Sequence, residues 1–315
     1  MSKLNILDQL KNKLFLIAGD ASPRKFYGYK NKKKQILVYC ETDKKNNLEN
    51  YVKINNFLIS NKIKAPKIID KDIKKNYIVI EHLGNKLLKN LVKNKKKRLG
   101  YFKNSIDELI KLQKLDIKKG FRFYSLKLLK NELNLFYQWY LPEFFLLNKI
   151  VKIKKEIDEE LIKFLKKTLK LSNVFVHRDF HIENLILCKK KIGFIDNQDA
   201  VIGHPAYDLM SLIDDVRLFI SKEEQNKLYN YYLFKIGKVD KDFDTHFHIL
   251  SIQRSLKILG IFLRLYKRDG KKKYLKYLPR TWVLIDQRLQ HKQFKKLKII
   301  FNKYFNNKIK KKKWK

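Results

Sequence analysis

Acid and arginine are what this chain has little of. Its 315 residues hold 73 basic side chains against 31 acidic ones, a formal net charge of +42, yet only 10 of the basic residues are Arg. An excess of this sign raises nucleic-acid or anionic-membrane binding, because a positive field attracts polyphosphate. The shortage of arginine argues the other way. Recognition surfaces lean on its planar fork, which grips phosphate bidentately, and here Lys is spread along almost every segment instead of forming a patch. Nor does any helix-turn-helix, zinc or RNP-like motif accompany the charge. The composition reads as drift toward Lys, Asn and Ile, and no nucleic-acid or membrane partner is expected. In a lysine background, arginine marks places where geometry matters. Arg254, Arg264, Arg268 and Arg280 are four that fall close together.

Cysteine is equally sparse. Cys40 and Cys188 are far apart and have no C-x-x-C spacing, which predicts reduced, partly buried thiols. Long apolar runs are missing: the longest, Leu259 to Leu265, is broken by Gly260 and Arg264 and is too short to span a bilayer. No charged-apolar-small signal segment opens the chain, and no internal repeat is visible. These absences predict a soluble cytoplasmic protein. Apolar residues, at 44%, are ample for a core.

What is present has a clear order. Leu, Ile and Phe at helical spacing predict a helix over residues 3–17, and Gly19 to Pro23 a turn. Strands are expected at Phe26 to Tyr29 and Gln35 to Cys40, joined by the Asn31 to Lys34 hairpin turn. A helix follows over 48–61, with Leu48, Tyr51, Val52, Asn55, Leu58 and Ile59 in its periodicity. Strands at Lys67 to Asp70 and Tyr77 to Glu81 precede a hinge at Gly84. Beyond it the pattern turns helical, at 106–115, 126–140 (stopped by Pro142), 156–171, and nearly everything from Ala206. The run Lys308 to Lys315 reads as a frayed tail. Strand, strand, helix, strand, strand is the order of a small nucleotide-binding lobe.

Chemistry concentrates in His177-Arg178-Asp179-Phe180-His181-Ile182-Glu183-Asn184, between the apolar runs Val174 to Val176 and Ile192 to Ile195; the latter ends in Asp196. The spacing fits the H-R-D-x-x-x-x-N catalytic loop with a metal-binding Asp on the next strand. Asp179 is placed to accept or orient the proton of an attacking hydroxyl. Asn184 and Asp196 offer one neutral and one anionic oxygen to magnesium held against nucleotide phosphates. A zinc reading of His177, His181 and Asp196 is disfavoured, since paired histidines at this spacing suit zinc on a helix and this segment reads as a loop. Asp199 suits either a metal partner or a substrate contact. Asp208 reads as a first-turn helix acid with a structural role.

Together with Ile195-Asp196-x-Gln198-Asp199-Ala200, this loop resembles the aminoglycoside phosphotransferase/choline kinase superfamily, and within it the bacterial anomeric N-acetylmuramate/N-acetylglucosamine kinases. Three more stretches carry the narrower resemblance: Gly19-Asp20-Ala21-Ser22-x-Arg24-Lys25-x-Tyr27, Leu128 to Leu141, and Gln253 to Phe262 with Arg268-Asp269-Gly270-Lys271. The resemblance implies an α+β, two-lobed protein-kinase-like fold, with a small nucleotide-binding lobe of antiparallel sheet over 1–82 and a mainly helical large lobe over 83–315. It implies ATP and Mg2+ as cofactors and an amino sugar as acceptor, in cell-wall sugar salvage. It implies that the Glu81 to Leu83 backbone meets adenine and that Ser22, Arg24 and Lys25 lie over the phosphates. The chain departs from the group at Pro23 and at Asn197, which stands where a Phe is usual. No Lys lies in Ile36 to Cys40, where a typical kinase has its phosphate-pairing lysine, and Arg24 or Lys25 is expected to compensate.

On the substrate side alternatives stay open. Trp139 and Tyr140 suit stacking on a sugar face or ordinary core packing. Glu132 suits sugar hydroxyls or a charge pair. Arg254 and Lys257 suit a lactyl carboxylate, the phosphates or a salt bridge. His181 joins Glu132, Trp139, Asp199 and Arg254 as a substrate candidate. The competing functions are a kinase for another alcohol (an aminoglycoside or choline), a non-enzymatic nucleic-acid binder, and a pseudokinase. The intact Asp-Asn-Asp set argues against the last.

Overall fold

The computed structural model describes residues 7, 10, 12–19, 24–32, 34–41, 47–117 and 120–314. The chain divides into two compact units, one of residues 1–115 with 177–200 and one of residues 116–176 with 201–315. Each is described by itself.

The first unit is built on a five-stranded antiparallel sheet: β1 (Leu14–Ala18), β2 (Arg24–Tyr29), β3 (Gln35–Cys40), β4 (Ile68–Asp72) and β5 (Tyr77–Glu81), in the order β1-β2-β3-β5-β4. The central strands β3 and β5 are apolar along their length because both faces are covered. Helix α1 (Asn47–Ser60) lays Leu48, Tyr51 and Val52 against Val38, Cys40, Ile78 and Ile80. The edge strand β4 carries Asp70, Lys71 and Asp72, charges that discourage further pairing.

After Gly84 come α2 (Leu88–Leu91) and α3 (Lys95–Gln113), the latter capped by the Asn94 side chain. The segment 177–200 then returns to this unit as a hairpin of β7 (Leu185–Cys188) and β8 (Lys191–Phe194). It is stitched in by Leu187 N–H to Lys86 O (2.9 Å) and Phe194 N–H to Lys64 O (2.9 Å).

The second unit is helical, with one short ladder of β6 (Val174–Val176) and β9 (Val201–Gly203). Its central helix, α8 (Phe243–Asp269), is buried along most of its length. Gly260 is why α8 packs so closely on the segment after α4 (Leu126–Leu135): a Cβ there would sit 2.2 Å from the Leu135 carbonyl carbon. At that contact α4 passes into a π-helical turn, Phe136–Tyr140. Against α8 pack α5 (Leu147–Leu169), α6 (Ala206–Ile213) and α9 (Leu278–Arg288), and α7 (Lys222–Ile236) meets it through Tyr229 on Phe247 and Tyr232 on Phe243; α10 (Lys295–Tyr304) packs on α5, and α11 (Asn307–Lys310) on α9. Among the described residues no helix is long and apolar enough to cross a membrane.

Two expectations are corrected. The helix expected over 3–17 is overturned at its end, where Leu14–Ala18 is an edge strand paired with β2. Leu-Phe-Leu-Ile is apolar at every position and fits either period, and the sheet edge decides it. Leu7 and Leu10 are helical; the other residues of that stretch before 12, and the turn residues 20–23, lie outside the described residues. The tail is not simply frayed either. Trp314 packs on Tyr140 and Phe144, and Lys310 pairs with Asp286 at 2.7 Å. A single large aromatic at the end of a lysine run has apolar area to bury. Cys40 is buried, Cys188 half-buried, and both are free thiols.

Candidate active site

In the first unit the loop 177–184 is organised from its backbone. His177 accepts the Asp179 N–H at Nδ1 (3.3 Å), so Nε2 carries the proton and donates to Ile195 O (3.0 Å). Both ring nitrogens are therefore engaged in structure. Arg178 takes a left-handed conformation, φ 73°, and its Nη1 donates to Asp199 O at 3.1 Å. Asn184 Nδ2 donates to Asp179 O at 3.1 Å, which orients the amide and leaves Oδ1 as its acceptor end. His181 N–H also reaches Asp179 O, at 3.0 Å, and Ile195 N–H donates to Asn184 O at 3.1 Å. The last bond fastens the loop to the strand that delivers Asp196.

Asp196 is itself left-handed, at φ 67° and ψ 40°. A non-glycine residue there is uncommon and tends to mark function. Its Oδ1 lies 2.9 Å from Nη2 of Arg24, the buried first residue of β2. Lys25, the next residue, is exposed. Asn197 follows Asp196 and is fully buried. Its Nδ2 donates to Asn55 Oδ1 on α1 (2.7 Å) and to Phe194 O (3.1 Å), while Asn55 Nδ2 donates to Pro66 O (3.1 Å). An amide clip thus holds the turn after Asp196 to α1.

Among the described residues no three His, Cys, Asp or Glu side chains gather into a metal cage. Asp196 and Asn184 supply hard oxygens only, the donor set of a cation that completes its shell with phosphate oxygens and water. These residues fit Mg2+.

At the end of β5, Glu81 N–H donates to Lys67 O and His82 N–H to Lys34 O, both at 2.8 Å, and the Glu81 carboxylate pairs with Lys64 at 2.9 Å. Leu83 O accepts from Cys188 Sγ at 3.4 Å. The Leu83 N–H has no hydrogen-bond partner among the described residues. Gly84, at φ 106°, turns the chain away.

The second unit has its own polar cluster. Buried Glu132 accepts from Tyr124 Oη (2.8 Å) and Gln253 Nε2 (3.0 Å) at Oε2, and from Lys257 Nζ (2.8 Å) at Oε1. Tyr140 is core: its hydroxyl accepts from Trp282 Nε1 at 2.7 Å and its ring stacks on Phe136. Trp139, on the same π-helical turn, is only half-buried. Arg254 is buried on α8, and Asp208 is fully buried in α6.

A family model described as a phosphotransferase enzyme family (APH) matches residues 14–242. The chain belongs to that family. Among curated proteins, the N-acetylmuramate/N-acetylglucosamine kinase of Caulobacter vibrioides is 30% identical over 257 residues, covering 77% of this chain and 70% of the relative. Among solved structures, the gentamicin complex of APH(2")-IIa superposes with a TM-score of 0.67 at 15% identity, over 90% of this chain and 96% of that one. A choline/ethanolamine kinase family protein from Mesorhizobium loti superposes at 0.65 and 13% identity, over 95% of each chain. The expected α+β kinase-like fold is therefore found, and this phosphotransferase is an enzyme.

The phosphotransferase brings Arg24, Asp179, His181, Asn184, Asp196 and Asp199 into one unit with the Glu81 to Leu83 hinge, while Glu132, Trp139 and Arg254 belong to the other unit. Ser22 lies outside the described residues. Sequence reasoning missed Lys64, Tyr124 and Asn55. For Asn55 a signal existed, a polar amide inside an otherwise apolar helical stripe.

Proposed function

We propose that this phosphotransferase moves the γ-phosphoryl group of ATP to the anomeric hydroxyl of N-acetylmuramate or N-acetylglucosamine, in the cytoplasm. The observation that carries the reading is the loop closure: Asn184 holds the Asp179 backbone by its amide and the Asp196 strand by its carbonyl. The backbone at Asp179, Asn184 and Ile195 is thereby held on one short scaffold, which supports Asp179 as base and Asn184 and Asp196 as cation ligands. The names of the curated relatives support the choice of sugar.

Asp179 orients the sugar hydroxyl and takes its proton as the new O–P bond forms and the bond from the γ-phosphorus to the ADP oxygen breaks. Catalysis by such a site is positioning and charge neutralisation. Asn184 Oδ1 and the Asp196 carboxylate would hold Mg2+, which neutralises phosphate charge. Arg24 and Lys25, with Ser22, serve the phosphates, and the Leu83 N–H offers adenine a donor. The residues proposed to serve the sugar are His181 and Asp199 of the first unit and Glu132, Trp139 and Arg254 of the second. By role, residues 1–82 form the nucleotide lobe and 83–315 the catalytic and acceptor lobe.

The test is incubation of the purified protein with ATP, Mg2+ and a panel of N-acetylmuramate, N-acetylglucosamine, aminoglycosides and choline, with products identified by mass spectrometry and phosphorus NMR. A sugar 1-phosphate is expected. Phosphorylation confined to aminoglycosides or choline would overturn the choice of acceptor.

A further inference from the structure

Hydrogen bonds fix the backbone on either side of Asp196. Before it, Ile195 N–H donates to Asn184 O (3.1 Å) and Ile195 O accepts from His177 Nε2 (3.0 Å). After it, Asn197 Nδ2 reaches back across Asp196 to Phe194 O (3.1 Å), and the other proton of that amide goes to Asn55 Oδ1 on α1 (2.7 Å). Asn55 is held in turn by its own Nδ2, which donates to Pro66 O (3.1 Å). The two carbonyls only accept, so each amide has one orientation. Ala200 N–H closes the turn on Asn197 O (3.0 Å). The clasp from residue 197 to residue 194 therefore encloses the φ and ψ of Asp196, and α1 braces it from the side.

Packing alone does not account for this arrangement. Asn55 and Asn197 are both 0% exposed, and Asn197 Oδ1 is enclosed with no hydrogen-bond partner among the described residues. A leucine at 197 would fill the site without stranding an oxygen. It would not clasp Phe194 O, and Asp196 would then be free to leave its left-handed conformation, φ 67° and ψ 40°, which disfavours any residue but glycine. An extended Asp196 would point its carboxylate elsewhere. We propose that Asn197, braced by Asn55, is a positioning residue that holds the Asp196 carboxylate for a divalent cation, so that the affinity for the cation is set through α1. The proposal rests on Asp196 being a cation ligand, as in the functional reading above.

The experiment compares wild type with Asn197→Leu and Asn55→Leu. Mn2+, a paramagnetic probe for the Mg2+ site, is titrated in the presence of saturating ADP and followed by electron paramagnetic resonance. ADP binding with chelator present is measured separately by calorimetry. In Asn197→Leu the Kd for Mn2+ rises about 10- to 100-fold, the range for losing a group that orients a metal ligand. The metal-free Kd for ADP stays within about threefold. Asn55→Leu leaves the clasp on Phe194 O in place and loses less, and it carries the test if Asn197→Leu does not fold. Val38→Ala, in the sheet core of the same unit, controls for lost stability alone and keeps the wild-type Kd for Mn2+. Wild-type Mn2+ affinity in folded Asn197→Leu overturns the proposal. So does an equal fall in metal-free ADP binding, or the same loss of Mn2+ affinity in Val38→Ala, since either makes the amides merely structural. If wild type with ADP binds no Mn2+, the functional reading itself has failed.

Discussion

Arg24 Nη2 lies 2.9 Å from Asp196 Oδ1, joining the first residue of β2 to the carboxylate proposed for the metal. The guanidinium is buried and the carboxylate about a third exposed, so the pair is anchored on the arginine side. On the proposed reading this cation steadies Asp196 and serves the phosphates in place of the lysine that β3 lacks. Arg24→Met is expected to lower kcat/KM for ATP by roughly a hundredfold, with Arg24→Lys in between. Steady-state kinetics at saturating sugar checks this; an unchanged value in Arg24→Met removes Arg24 from the phosphate site.

Asp179→Ala and Asp196→Ala are each expected to cut turnover roughly a thousandfold or more. Both proteins should keep a cooperative thermal transition and wild-type circular dichroism. Activity near wild type in either one would count against the mechanism.

The amide clip makes a prediction about stability. Asn55 and Asn197 are fully buried, and removing either strands its partner's polar atoms. Each single Ala variant should cost about 1–3 kcal/mol. The double variant should cost less than the sum, because the two side chains act as one unit. Urea titration of the four proteins gives the cycle, and additive losses would mean the amides are not coupled.

Acid should weaken the fold through a pair of buried histidines. His204 accepts the Ala206 N–H at Nδ1 (3.1 Å), so its Nε2–H donates to His246 Nδ1 (3.0 Å). Burial, and then the neighbouring His246, push the His204 pKa down to about 3. Burial lowers that of His246 too, against the pull of Asp242 and Asp240. Both are neutral in the fold and take up a proton near pH ~6.5 when unfolded. Their contribution is full above that pH and is lost as pH falls toward the depressed folded values, at up to ~1.4 kcal/mol per pH unit per group. Unfolding at pH 7.5, 6 and 5 should show the decline, and His204→Asn should flatten it.

Gly260→Ala should destabilise by at least about 1–3 kcal/mol, since the new methyl would meet the Leu135 and Phe136 backbone at 2.2 to 2.5 Å. Calorimetry decides, and an unchanged melting temperature would mean that α8 and α4 can part there without cost.

Much of the candidate site could be proposed from the sequence because its signals are local. The loop from His177 to Asn184 carries its chemistry in consecutive residues, and β3, β5 and α1 carry theirs in period. What escaped depends on partners distant in the chain. Glu132 looks like a surface acid until Tyr124, Gln253 and Lys257 close around it. Asn197 looked like a defect in a motif until Asn55, 142 residues away, supplied its acceptor. Residues 14–17 were misread because an all-apolar run has no period, and only pairing with β2 assigns it.

Residues 177–200 complete a unit whose other part ends at 115. During synthesis the nascent sheet must therefore wait, without its hairpin or the acids Asp179 and Asp196, while some sixty intervening residues emerge. A chain cut short anywhere in that interval leaves Lys64 O and Lys86 O without the β-hairpin N–H groups that meet them.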